Sequence, residues 1–122
     1  MKYAINAAHD FLRVEVSGRD TDQPPSHMCA AVYEATVKHG RLRVLIELDQ
    51  KFPLSPSSQY QLVEALPEIG FTPRHSLALV HRTPIAHMAS KFIDKVAANQ
   101  GLEVRTFPDV EQAKAWLHKR PA

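Results

Sequence analysis

The chain has little with which to hold a nucleotide, a metal or a membrane. Only four glycines occur in 122 residues. They form neither Gly-x-Gly-x-x-Gly nor Gly-x-x-x-x-Gly-Lys-[Ser/Thr], so no backbone cradle for a pyrophosphate is expected. The one cysteine, Cys29, excludes an internal disulfide; set among Met28, Ala30, Ala31 and Val32, it reads as an inert thiol on an apolar helix face. No apolar run approaches the ~20 residues that cross a bilayer. The first ten residues lack the continuous apolar segment of a secretory signal, which makes the cytoplasm the expected compartment. Charge of one sign is also scarce: 15 basic and 13 acidic residues are interspersed for a net +2, so no nucleic-acid partner is expected. The seven histidines form no His-x-x-x-His pair, and His81 and His87 are separated by a proline, so neither a metal nor another cofactor is expected.

What is present suits one soluble domain spanning residues 1–122. The hydrophobic share is 44% and the charged share 23%, and a chain of this length buries roughly two thirds of its unfolded surface. Tyr3 to Ala7 and Phe11 to Ser17 read as a hairpin, the second arm alternating Leu12, Val14 and Val16 with Arg13 and Glu15. After Pro24-Pro25, helical spacing of Met28, Val32, Ala35 and Thr36 predicts a helix closed by Lys38-His39-Gly40. Leu42 to Leu48, apolar apart from Arg43 and Glu47, reads as a central strand. Ser55 and Pro56 suit N-cap and N1 of a short helix through Leu62, Val63 and Leu66, which Pro67 is expected to end. Glu68 to Arg74 then reads as a loop or a weak extra turn.

Ser76 to Val80 is a second central strand, followed by His81-Arg82. Thr83-Pro84 opens the broadest amphipathic stripe, Ile85 to Val96, which Gly101 closes. Glu103 to Phe107 is the last strand. Asp109 with Gln112 makes a capping-box-like start to a helix burying Val110, Ala113, Trp116 and Leu117. Strand-helix-strand units of this kind pair in parallel. The expected fold is therefore α/β: a mixed, mostly parallel five-stranded sheet with an N-terminal antiparallel hairpin and about four helices.

Functional candidates gather after the central strand. Asp49, His81, Arg82 and Thr83 lie at or beyond the carboxyl ends of parallel strands, the edge where open α/β sheets collect ligands. With two helix starts nearby, these residues suit a small anion. Ser57 and Ser58 open the following helix, where a phosphate adds about 1.5 to 2 negative charges beside a dipole that favours anions.

The element order, together with the closing run Val104-Arg-Thr-Phe-Pro-Asp-Val-Glu-Gln-Ala-Lys-Ala-Trp-Leu117, resembles the SpoIIAA-like branch of the STAS superfamily. The resemblance covers nearly the whole chain. It implies a bacterial, non-catalytic regulatory domain that engages a protein partner, with a serine at the helix start after the central strand phosphorylated by a kinase; Ser57 and Ser58 stand nearest that place. The family's acid directly before the serine is absent here, since Asp49 is followed by Gln50-Lys51-Phe52-Pro53. A relation to the lipid-carrying Sec14 fold implies the alternative of a lipid-like or metabolite carrier using Asp49, His81 and Arg82. A third alternative, a weak hydrolase of Ser57, His81 and Asp49, lacks the Gly-x-Ser-x-Gly elbow. Finally, Phe52, Leu54, Tyr60, Ile69 and Phe71 could compose an apolar patch for a homodimer.

Overall fold

The alternation read in the hairpin becomes two antiparallel strands, β1 (Lys2–Ala7) and β2 (Leu12–Ser17), with Ile5 opposite Val14 and Ala7 opposite Leu12. A computed structural model of the chain describes residues 2–8, 10–17, 25–49, 56–81 and 94–120; within them the side chains of residues 2, 17, 25, 26, 49, 56–59 and 62 are outside the description. Three further strands, β3 (Arg43–Asp49), β4 (Ser76–His81) and β5 (Glu103–Phe107), follow in parallel with β2. The spatial order is β1-β2-β3-β4-β5, which puts β3 in the middle. The fold read from the sequence is the fold observed.

The helices are α1 (Pro25–His39), α2 (Pro56–Ile69), α3 (helical over its described residues 94–99) and α4 (Val110–His118). Strand periodicity divides the core between the two faces of the sheet. One face sends Leu12, Val14, Val16, Val44, Ile46, Leu77, Leu79 and Val104 against Met28, Val32, Val63, Leu66, Val96 and Ala97 of the first three helices. The other sends Leu45, Ala78 and Val80 against Ala113 and Leu117 of α4, together with Phe11. The crossovers from β2 to β5 thus keep to one side while the strand order rises without a reversal. Each fully buried Leu or Val here contributes about 1.5–3 kcal/mol through loss of apolar surface to water.

One expectation about α2 is corrected. The helix does not end before Pro67 but runs through it to Ile69. Proline removes a single donor and is exposed there. The turn after it is held by the Leu66 carbonyl, which accepts from Gly70 N at 3.1 Å and from Phe71 N at 3.0 Å. This closure combines the 6→1 bond of a Schellman motif with a 5→1 bond from Gly70, and Leu66 and Phe71 are both buried as its apolar pair. At the other end of the chain, Asp109 caps α4 by accepting from Gln112 N at 2.8 Å. The box is not reciprocal: the Gln112 side-chain amide donates to the Asp109 carboxylate at 2.9 Å rather than serving the cap's own backbone.

Candidate functional site at the carboxyl ends of the strands

Parallel pairing brings several sequence candidates to one edge. Ser17 pairs with Asp49, and Leu48 with His81, so β3 and β4 finish side by side with Asp49 and His81 as their last residues. Helix α2 spans fourteen residues, or about 21 Å. Its far end passes through Gly70 and Phe71 into the start of β4, where Ser76 N donates to the Leu42 carbonyl just before β3 at 2.8 Å. The opposite end, with Ser57 and Ser58 in its first turn, therefore returns to the edge that carries Asp49 and His81. That first turn holds no acidic residue, leaving the positive end of the helix dipole without an internal counter-charge. Arg82, Thr83, Ser55 and His87 lie outside the described residues, as do the side chains of Asp49, Ser57 and Ser58.

His81 differs in environment from the loop-end residue the sequence suggested. It belongs to β4 and is only 7% exposed. By alternation it faces the same way as Leu77 and Leu79, toward the three-helix side. On that face the hydroxyl of buried Thr106, across from Leu79 in β5, donates to Asp94 of α3 at 3.2 Å. Sequence reasoning missed both of these polar residues, because Thr106 sits at an ordinary core position of a strand and Asp94 inside a strongly amphipathic stretch.

A second missed feature lies on the α4 side of the sheet. Glu47, in the middle of the central strand, is 3% exposed. Arg13 from β2 grips it in a fork, Nε donating to one carboxylate oxygen at 2.9 Å and an Nη to the other at 3.1 Å. The same guanidinium lies 3.6 Å from Glu15, the residue directly opposite Glu47 in the register. Hydrogen bonding and attraction to Glu47 hold the Arg13 pKa above its ordinary value.

A third buried polar group, His75, precedes β4. Its Nδ1 accepts from the Thr72 amide at 3.1 Å, and its Nε2 lies 3.4 Å from Thr36 Oγ1. The Thr36 hydroxyl spends its own proton on the Tyr33 carbonyl at 2.6 Å, so Nε2 is the protonated nitrogen and the ring is neutral. Tyr33 and Phe71 enclose it, with ring centroids 5.9 and 5.1 Å away. Burial pushes the His75 imidazole below the usual 6.5. An unfolded chain binds this proton more readily than the native one. The group's contribution to stability is therefore complete above pH ~6.5 and is lost as pH falls from there through the lowered native value. Urea midpoints at pH 7.5 and 5.5 are expected to differ more for the wild type than for His75→Gln; equal differences would contradict the assignment.

The same cluster corrects the dimer patch. Phe71 is buried against Tyr33 and His75, and Ile69 packs against the core. Tyr60 is exposed, and Phe52 and Leu54 are outside the described residues. The aromatic residues grouped by sequence thus do not make one surface. Cys29 is a core thiol as expected, and burial pushes its pKa up to about 12. Among the described residues no group of three or more His, Cys, Asp or Glu could hold a metal, and no helix is long and apolar enough to cross a membrane.

Comparison with known proteins places these features in context. A family model described as SpoIIAA-like matches residues 11–118. Among solved structures, the "NMR Structure of the protein TM1081" superposes with a TM-score of 0.53 at 11% identity, covering 95% of this chain and 88% of that one. At that identity the likeness concerns the fold. A search of curated proteins gives no match.

Proposed function

Because this chain belongs to the SpoIIAA-like family, we propose that it is a non-catalytic regulatory binding module of STAS type. It works as one domain and engages a protein partner or a small anionic ligand at the start of α2. Ser57 or Ser58 is the switch, accepting a phosphate. The observation that carries this reading is topological: α2 begins with an acid-free turn on the edge where Asp49 and His81 end the two central strands. A phosphate on that turn meets the helix dipole and the N-terminal backbone N–H groups, an interaction of about 0.3–1 kcal/mol for a charge at a helix end. The same charge alters what a partner meets at this rim.

A carrier role for Asp49, His81 and Arg82 has less support, since His81 is buried as the last residue of β4. The switch is tested with Ser57→Ala/Ser58→Ala in the native host. The double variant is expected to melt within about 2 °C of the wild type, since alanine keeps the helical backbone of the first turn. It should also lose both its phosphate and the difference in partner affinity between growth conditions. Unchanged phosphorylation and unchanged affinity would remove the switch.

A further inference from the structure

Strand β5 closes one side of the sheet, and among the described residues no strand pairs with its outer edge. A groove of about 680 Å³ follows this edge between α3 and the strand. Buried Leu102 and Val104 lie at its base, and exposed Ala98 and Lys95 stand on the α3 side. Arg105 points to the opposite face of the sheet, in register with Ala78, and is exposed.

The charges along the groove are unequal in their freedom. Glu103 is engaged by Arg120 at 3.2 Å, and Asp94 accepts from Thr106 at 3.2 Å. Lys95 and Arg105 have no ionic partner among the described residues. Among the described residues the groove therefore carries Arg105 as a cation with no ion pair and Lys95 beside the charged Asp94, a net positive balance once Glu103 is paired with Arg120, next to a β5 edge on which no strand pairs. An edge of this kind is completed by strand addition, in which backbone hydrogen bonds supply affinity and alternate side chains supply selectivity.

We propose that the outer edge of β5 is a docking groove for an extended segment of a partner protein in which acidic and apolar residues alternate. Apolar side chains of the segment lie over Val104 and Ala98 beneath α3, and acidic ones meet Arg105 on the other face, with Lys95 adding attraction at the rim. This inference stands apart from the switch at Ser57 and Ser58, because the two use different residues and either can fail alone.

The test uses the full chain and two fluorescein-labelled probes, acetyl-Val-Glu-Val-Asp-Val-Glu-amide and the same peptide with lysine in place of each acid. Anisotropy titration is expected to show micromolar binding of the acidic probe only, weakening as salt rises, with amide shift changes confined to residues 94–107. Arg105→Glu, an exposed change that leaves melting unaltered, is expected to weaken the acidic probe at least tenfold and to admit the lysine probe. Lys95→Glu is expected to weaken it less. Methylating alternate peptide nitrogens should abolish binding. Absence of binding, equal binding of both probes, indifference to Arg105→Glu, or shift changes elsewhere would each overturn the proposal.

Discussion

An Arg13→Met variant is expected to lose about 2–3 kcal/mol of folding stability in urea titration, despite removing a side chain that sits on a largely polar part of the sheet. The cause is what remains behind. Glu47 is 3% exposed, and its two carboxylate oxygens accept from Arg13. Breaking a buried pair by removing one partner typically costs about 3–5 kcal/mol. The Arg13 side chain is itself 41% exposed, so water recovers part of that loss and the lower figure applies. Loss of the guanidinium also leaves Glu15 and Glu47 opposite each other with nothing between them. Arg13→Met/Glu47→Leu is expected to regain most of the stability, because apolar side chains of similar volume replace a buried pair at little cost. A loss below about 0.5 kcal/mol in the single variant would show that Glu47 has other support.

The second large effect is expected at the end of α2. Gly70 has φ +134°, a region that L side chains rarely adopt, and a Cβ placed there would lie 2.5 Å from Cζ of Tyr33. Gly70→Ala thus combines backbone strain of about 1–3 kcal/mol with overpacking against a half-buried ring. We expect a total loss of about 3 kcal/mol by chemical denaturation. Adding Tyr33→Leu opens space but leaves the backbone conformation unchanged, so it should restore only part of the loss. Full recovery would mean that the clash alone matters; a loss below about 1 kcal/mol would contradict both terms.

These two sites show where the sequence was readable. Leu12, Val14 and Val16 announce a half-buried strand by their period, and Ser76 to Val80 announces a fully buried one by its continuity. Signals of this kind are local, and the sheet order followed from them because single-helix crossovers leave few alternatives. Pro67 misled because its local effect on the preceding residue was outweighed by the Leu66–Phe71 closure, which depends on burial against α1 and the sheet. The Arg13–Glu47 pair was half visible: Glu47 interrupts an apolar strand, but only the β2–β3 register says which cation reaches it.

His75 carries no local mark at all. Its burial is produced by Thr36 and Tyr33, which arrive from a helix ending more than thirty residues earlier. The candidate site divides in the same way. Asp49 and the start of α2 could be placed on one edge from element order alone, whereas the inward turn of His81 and the Thr106–Asp94 bond needed the assembled sheet.

The central claim is that this protein acts through the rim formed by the start of α2 and the carboxyl ends of β3 and β4. Native mass spectrometry of the chain purified from its own host, followed by peptide mapping, tests it most directly. The account predicts a covalent phosphate on the peptide containing Ser57 and Ser58, or a retained anion, and loss of that adduct in the double alanine variant. A wild-type chain that carries no adduct under any growth condition, or one whose adduct maps to another part of the sheet, would contradict it.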